Sequence, residues 1–267
     1  MLLTIDVGNT NISLGLYPPG GSDVEPVLRW RMRTDPRLTA DELALTLRGL
    51  LGSHADDVTA ISALSNVPAV LRELRVLLGR YYPDVPTVVV EPGVRTGVPM
   101  HVDNPKEVGA DRLVNTVAAH RLCGTACVVV DAGTSTTVDA ISAKGEFLGG
   151  AFAPGIEISV DALASRAAAL RKVELTPPRS VIGKTTVECL QSGILFGFAG
   201  QVDGLVRRIV AELGDGPVEV FATGGLAPLV VGESELITQH RPDLTLLGLK
   251  LVYERNSAAQ SRPGRRK

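Results

Sequence analysis

Two stretches of the chain show the same alternation of apolar runs and polar turns. In residues 2–17, Leu, Ile and Val flank a short polar cluster, and this pattern predicts a strand, a tight turn and a second strand. The pattern returns in residues 126–142. A third strand is predicted after each hairpin, over residues 27–33 and 145–153. Each half of the chain is therefore predicted to open with three strands.

Helical periodicity follows these strands in both halves. Thr39 stands in an N-cap position before apolar residues with helical spacing, which predicts a helix over residues 39–51. Further helices are predicted at about 68–80, 159–170 and 185–213, a terminal amphipathic element at 242–253, and further strands at 59–64, 86–90 and 217–222. Within residues 185–213, the helical pattern is interrupted by Gly193, Gly197 and Gly200. Alternating strands and helices indicate an α/β fold.

The turns of the two hairpins carry similar residues. Aligned without gaps, the equivalent pairs are Asp6 and Asp131, Gly8 and Gly133, Asn9 and Thr134, and Thr10 and Ser135. Such self-similarity predicts two domains of like fold, although two unrelated Asp-Gly turns would give the same short match. We place the domains at residues 1–121 and 122–256 and expect residues 257–267 to form a disordered basic tail.

Composition and charge exclude several classes of function. The 267 residues are 45% hydrophobic and 21% charged, which is typical of a globular protein. Lys and Arg total 27 against 29 for Asp and Glu, so no general positive field attracts nucleic acid or anionic membranes. Three cysteines without a CxxC pair argue against a disulfide framework and a thiolate zinc site. Because neither a signal peptide nor a membrane-spanning run is recognisable, we expect a soluble cytoplasmic protein.

The two Asp-Gly turns have the chemistry of a phosphate and metal site. Backbone N–H groups beside glycine can donate to phosphate oxygens, and an Asp carboxylate is a hard oxygen ligand for Mg²⁺, directly or through water. Two such turns facing each other across a cleft would hold a triphosphate between two domains. For either turn alone, a hairpin whose Asp satisfies its own backbone is the simpler interpretation.

Two further segments are candidates for the site. Residues 223–225 follow a predicted strand and open a helix, where N–H groups favour a nucleotide phosphate; a simple helix-start turn explains them equally well. At the start of another helix, Asp111 would accept the proton of an alcohol that receives a phosphoryl group, and Arg112 would orient an anionic acceptor. Taken alone, Asp111 and Arg112 are better explained as a helix-start aspartate and a surface arginine.

Taken together, these motifs resemble type III pantothenate kinase. They are Asp-x-Gly-Asn-Thr near the N-terminus, Gly-x-Asp-Arg before a helix, Asp-x-Gly-Thr in the second half, Gly-Gly-x-x-x-Pro-Gly at 149–155 and the segment 183–193, in order from about Leu2 to Asn256. The family belongs to the acetate and sugar kinase and actin superfamily. The resemblance therefore implies an α/β fold of two duplicated actin-like (RNase H-like) ATPase domains with a cleft between them. It also implies ATP-dependent phosphorylation of pantothenate to 4′-phosphopantothenate, the first step of coenzyme A synthesis.

The resemblance also implies the roles of individual residues. ATP phosphates and Mg²⁺ would be held by Asp6, Val7, Gly8, Asn9, Thr10, Asn11, Ile12 and Ser13, and Thr134 would be a further ATP contact. Asp111 would be the general base, and pantothenate would be bound by Gly109, Ala110, Asp111 and Arg112. Asp131 would hold a monovalent cation, K⁺ or NH₄⁺. Thr186 would contact pantothenate from the partner subunit of a homodimer.

One position departs from the family. Similar proteins often carry a tyrosine shortly before the Asn-Pro of the substrate loop, where this chain has Val102. The alternative that the protein is a kinase of the same fold acting on another small alcohol or acid therefore stays open. A nucleotide-binding regulator without kinase activity is the second alternative, although Asp6, Asp111 and Asp131 are all present.

Overall fold

The chain folds into two compact units. The computed structural model describes residues 1–21, 24–166 and 173–260. The first unit contains Met1–Val98, Asn104–Ala118 and the described residues from Asp243 onward, and the second contains Pro99–Asp103 and Ala119–Pro242. Within the described ranges, no helix is both long and apolar enough to cross a membrane.

The first unit is built on a five-stranded mixed sheet. Its strands are β1 (Leu2–Val7), β2 (Asn11–Tyr17), β3 (Leu28–Arg33), β4 (Ala60–Ser65) and β5 (Thr87–Val89). They lie in the order β3-β2-β1-β4-β5; the β1–β2 and β2–β3 pairs are antiparallel, and the β1–β4 and β4–β5 pairs are parallel. Hydrogen bonds along both edges of β1 therefore fix its register.

The second unit repeats this topology. Its strands are β6 (Ala126–Ala132), β7 (Ser135–Ile141), β8 (Phe147–Pro154), β9 (Val218–Thr223) and β10 (Gln239–His240). They lie in the order β10-β9-β6-β7-β8, with β6–β7 and β7–β8 antiparallel and β6–β9 and β9–β10 parallel. Strands β6 to β10 thus correspond to β1 to β5, and the predicted duplication is confirmed at the level of the sheets.

Helices pack against these sheets. In the described residues they are α1 (Ala40–Leu51), α2 (Pro68–Tyr81), α3 (Ala110–Cys123), α4 (Ile156–Arg166), α5 (Thr186–Leu213), α6 (Ala227–Val231) and α7 (Leu244–Gln260). Thr39 caps α1 as predicted, because its side chain accepts from the Glu42 N–H while the Glu42 carboxylate accepts from the Thr39 N–H. Residues 167–170 of the helix predicted at 159–170 lie outside the described residues.

The C-terminal helix belongs to the first unit, and this differs from the predicted boundary of the second domain at 122–256. One face of the first sheet packs on α1 and α2. The opposite face is covered by α3 and α7, and Leu246 and Leu249 of α7 are buried beside Leu2 and Tyr17. Without α7, the part of this apolar face that Leu246 and Leu249 cover would be open to water. Helix α7 continues through residues 257–260 of the predicted tail, and residues 261–267 lie outside the described part of the chain.

The two hairpin turns differ in length by one residue. In the first, Val7 pairs with Ile12 and the Gly8 N–H donates to the Asn11 carbonyl. In the second, Ala132 pairs with Thr136 and the Gly133 N–H donates to the Ser135 carbonyl. Ser135 is therefore the structural equivalent of Asn11, whereas alignment without gaps paired it with Thr10. The equivalence of Asp6 with Asp131 and of Gly8 with Gly133 is unaffected.

Helix α5 is continuous through the three glycines expected to interrupt it. Gly193, Gly197 and Gly200 are all exposed, and a Cβ atom at any of them would meet no atom within 4 Å. At 3.6 residues per turn they lie on the same side of the helix as Thr186. This side of α5 is therefore a smooth, exposed surface of small residues.

Candidate functional site

Asp6 stands next to the last position of β1, the central strand of its sheet. It pairs with Ser13 on β2 and with Leu64 on β4. Its side chain is half-buried, while Asn9 and Thr10 in the following turn are exposed. The strand register therefore places a carboxylate beside a tight turn that offers amide and hydroxyl groups to solvent.

Thr34 anchors this turn, and sequence reasoning missed it. Its hydroxyl donates to the Gly8 carbonyl at 2.7 Å, and its N–H donates to the Thr10 carbonyl at 3.0 Å. The Asn66 N–H donates to the Val7 carbonyl at 3.0 Å. The carbonyl groups of Val7, Gly8 and Thr10 therefore already accept hydrogen bonds from the protein, and these bonds fix the shape of the turn. The only sequence signal for Thr34 is its place directly after the third predicted strand.

Asp131 occupies the same position at the end of β6. It pairs with Thr137 on β7 and Thr223 on β9, and its side chain is half-buried. Gly224, which follows β9, has a φ of +92°, and a Cβ atom there would overlap Asp131 Oδ1 and lie 2.6 Å from the Ala132 carbonyl oxygen. In the glycine element predicted at 223–225, the lack of a side chain at Gly224 therefore allows the backbone to lie close to the Asp131 carboxylate.

Thr134 is exposed in the turn after β6. Gly155, which follows β8, lies against the backbone of this turn, since a Cβ atom at Gly155 would overlap the Thr134 carbonyl oxygen. The glycine at position 155 thus allows β8 to support the turn directly. Asp131 and Thr134, which the sequence singled out separately, are brought together at one end of the second sheet.

The segment from Gly109 to Arg112 forms the start of α3 in the first unit. Asp111 lies in the first helical turn, is half-buried, and accepts a hydrogen bond at Oδ1 from the Arg112 N–H at 2.9 Å. A Cβ atom at Gly109 would overlap this same oxygen. Ala110 is the first helical residue. The structure thus holds the Asp111 carboxylate in one orientation at a helix N-terminus, where the helix dipole favours negative charge.

Residues 99–103 extend the second sheet, although the chain on both sides of them belongs to the first unit. The Phe147 N–H donates to the Pro99 carbonyl, and the His101 N–H donates to the Phe147 carbonyl, each at 2.9 Å. Val102, the position that departs from the family, lies near Gly149 on β8. Its backbone position is therefore set by the sheet.

Thr186 is the first residue of α5 and is exposed. The preceding residue, Thr185, caps the helix by accepting from the Glu188 N–H. The Glu188 carboxylate accepts from Arg179 Nε at 2.5 Å and from the Lys184 N–H at 2.9 Å. The hydrogen bond from Arg179, together with those from the backbone, holds the pKa of Glu188 below its usual range. These bonds fix the loop that leads to Thr186.

No group of three or more His, Cys, Asp and Glu side chains among the described residues is arranged to hold a metal. Asp6 and Asp131 are separate carboxylates, each beside a turn with backbone groups. Mg²⁺ commonly takes one or two carboxylates and completes its shell with phosphate oxygens and water. A cation at either turn would therefore be held partly by the protein and partly by a bound ligand.

Comparisons with known proteins show the family to which the chain is similar. A sequence model described as type III pantothenate kinase matches residues 2–208. Two similar relatives bear the same description: one from Saccharopolyspora erythraea is 76% identical, with 96% of this chain and 99% of the relative covered. The other, from Rhodococcus jostii, is 66% identical, with 97% and 96% covered.

The structural comparison supports the fold class. A ROK family protein from Streptococcus pneumoniae has a TM-score of 0.53 and 14% sequence identity, with 97% of this chain and 99% of that chain covered. At this identity the likeness concerns the fold alone. Together with the two sheets of like topology, it confirms the predicted α/β fold of actin-like type.

Gly224→Ala is expected to destabilise the protein. The new methyl group combines a φ of +92° with overlap of Asp131 and Ala132, and we expect a loss of about 2 kcal/mol or more in the free energy of unfolding. Urea unfolding measures it. The matched control is Gly232→Ala, since Gly232 has a φ of -69° and open space around it. Equal stability of the two variants would contradict the assigned close approach.

Proposed function

Because the chain belongs to the type III pantothenate kinase family and therefore phosphorylates pantothenate in coenzyme A biosynthesis, we propose that the residues described above carry out this reaction. The observation that carries the proposal is the repeated geometry of Asp6 and Asp131. Each lies next to the end of the central strand of its sheet and beside a glycine turn. A carboxylate with backbone donors suits phosphate and cation binding.

The turn from Asp6 to Ser13 binds the phosphates of ATP. Thr34 engages the Gly8 and Thr10 carbonyls, so the phosphate oxygens meet N–H donors and the exposed Asn9 and Thr10 side chains. Asp6 supplies an oxygen for Mg²⁺, directly or through water. The bound Mg²⁺ would neutralise charge on the phosphates as they are transferred. In the second unit, Thr134 makes a further contact with ATP.

Asp111 is the general base. Its Oδ1 accepts from the Arg112 N–H, which orients the carboxylate and leaves Oδ2 to face the acceptor. The hydroxyl oxygen of pantothenate forms the new bond to the γ-phosphorus as the bond to the bridging oxygen of ADP breaks, and the hydroxyl proton passes to Asp111. Gly109, Ala110 and the Arg112 side chain bind pantothenate, whose carboxylate suits a guanidinium partner.

Asp131 binds a monovalent cation, K⁺ or NH₄⁺. Gly224 brings backbone close to the Asp131 carboxylate, so carbonyl groups and one carboxylate can share the ion. Such a set has one formal negative charge, which a singly charged cation balances, whereas Mg²⁺ at Asp6 would be balanced by the phosphates of ATP as well. The cation would add positive charge near the nucleotide without taking part in proton transfer.

The enzyme is a homodimer, and α5 forms its interface. The exposed small residues Gly193, Gly197 and Gly200 permit close approach of a second helix. Thr186 lies on the same side of α5, and its loop is fixed by Glu188. A partner packed on this surface would receive Thr186 as a pantothenate contact.

The proposed reaction takes place in the cytoplasm, where the free Cys123, Cys127 and Cys189 remain reduced.

Asp111→Asn is expected to lower kcat by about 10² to 10⁴-fold, because an amide cannot accept the hydroxyl proton. The affinity for ATP should change less than about twofold, since Asp111 lies outside the turn that binds phosphate. Release of ADP and calorimetric ATP binding measure the two effects. Asp41→Asn, another first-turn aspartate, is the control. Retained turnover in Asp111→Asn would exclude this residue as the base.

Asp131→Asn is expected to remove the preference for K⁺. Wild-type protein with Mg-ATP and pantothenate should release ADP faster in K⁺ than in Na⁺ at constant ionic strength, because K⁺ sheds its hydration shell more easily. Loss of the carboxylate charge should make the two rates similar. A K⁺ profile in the variant that matches the wild type would reject the cation site at Asp131.

Mixing two inactive variants tests the shared site. The Asp111→Asn and Thr186→Ala proteins are mixed so that their subunits exchange. If Thr186 acts on its partner, each heterodimer has one intact site. Because about half of the dimers are then heterodimers, about a quarter of wild-type activity should return. If Thr186 acts within its own chain, no activity returns.

Gly197→Leu should dissociate the dimer in light scattering. Gly79→Leu, an exposed glycine in α2, should leave it intact.

A further inference from the structure

The edge strand β3 presents a row of arginines on one face. Trp30 and Met32 pack against the core formed with α1 and α2. Because side chains alternate along a strand, Arg29, Arg31 and Arg33 lie on the opposite face. All three side chains belong to exposed residues.

The register places two of these arginines level with the phosphate turn. Asp6 pairs with Ser13, and Ser13 pairs with Arg31, so the three residues form one row across the sheet. Arg33 pairs with Asn11 at the end of the turn. Paired residues share a face, and two strand spacings amount to about 10 Å, much of which a long arginine side chain can span. Arg31 and Arg33 therefore flank the turn on the same face as Asp6.

The three arginines differ in their partners. Arg29 Nη1 lies 2.6 Å from Asp243 Oδ2. For the guanidinium groups of Arg31 and Arg33, the described residues provide neither an ion pair nor a hydrogen bond. Two positive side chains at adjacent positions of one face repel each other unless an anion lies between them. Among the described residues, the positive charge at the end of β3 nearest the turn thus has no ion-pair partner.

The second unit shows that the fold does not require this charge. In its equivalent row, Asp131 pairs with Thr137, and Thr137 pairs with Phe152. Pro154, paired with Ser135, takes the place of Arg33. An aromatic residue and a proline thus occupy the positions that the first unit fills with arginines. A ligand of the first unit is therefore the better explanation for the arginines at these positions.

We propose that Arg31 and Arg33 bind phosphate oxygens of the ATP held by the Asp6 turn. The inference rests on the proposed nucleotide site and adds two residues to it. Guanidinium groups match phosphate oxygens in geometry and charge, and Mg²⁺ alone neutralises only part of the charge of a triphosphate. Strand β3 then has two functions, because Thr34 directly after it also anchors the turn. The phosphates are held from two sides, by the turn and by the edge strand.

Nucleotide binding by charge-removing variants tests this proposal. Arg31→Gln and Arg33→Gln should each weaken Mg-ATP binding by about tenfold or more, the loss expected for a hydrogen bond to a charged group. The loss should be smaller for ADP and absent for adenosine. Arg31→Lys should bind ATP with intermediate affinity, because it keeps the charge but not the fork of donors. Isothermal calorimetry measures all of these affinities.

Arg29→Gln is the matched control, since it removes the same charge from the same face of β3 two residues farther from the turn. It should bind ATP within about twofold of the wild type. Unchanged adenosine affinity and urea midpoint in the Arg31 and Arg33 variants would show that they fold normally. Equal ATP affinity in all three glutamine variants would overturn the proposal.

Two other outcomes distinguish the sources of failure. If Asp6→Asn and the arginine variants all bind ATP like the wild type, the nucleotide site itself is misplaced, and this inference fails with it. If Asp6→Asn weakens ATP binding but the arginine variants raise only the KM for pantothenate, the arginines bind the acceptor carboxylate, and the phosphate assignment is wrong.

Discussion

The hydrogen bonds on both edges of β1 and β6 fix the positions of Asp6 and Asp131, the two carboxylates on which the proposed site depends. Each of these strands is antiparallel to one neighbour and parallel to the other. A slip of one residue would turn Asp6 or Asp131 to the opposite face and move every apolar residue of the strand with it. Because such a slip would expose the apolar residues to water, packing of the core also holds the carboxylate in place. The same constraint therefore sets both the core and the position of the carboxylate.

Local signals predicted much of this structure from the sequence. The Thr39 cap, the apolar spacing of α1 and the Asp-Gly turns each depend on residues close together in the chain, and the structure contains all three. Combined with the motif resemblance, they were enough for the fold class and the family. The positions of Asp6 and Asp131 near strand ends followed from the same short patterns.

Features that depend on distant residues were less accessible to sequence reasoning. The sequence of α7 predicts an apolar side but does not tell which of the two sheets it packs on; it packs on the first, beside Leu2 and Tyr17. The extra residue in the first turn is invisible without the pairing register, and so are Thr34 and the row from Asp6 to Arg31. The roles of all the candidate site residues, from Asp6 and Asp131 to Asp111, Thr134 and Thr186, remain predictions, because they depend on ligands and on a second chain.

The return of the chain to the first unit affects the order of folding during synthesis. The long segment Ala119–Pro242 of the second unit is complete before α7 is made. The first unit has its opening strands from the start, but Leu246, Leu249 and Val252 reach it only when the last helix emerges. Domains commonly fold from the N-terminus as the ribosome releases them. Here one apolar face of the N-terminal sheet lacks the cover of α7 until nearly the whole protein has been translated, so part of this face meets water during most of synthesis.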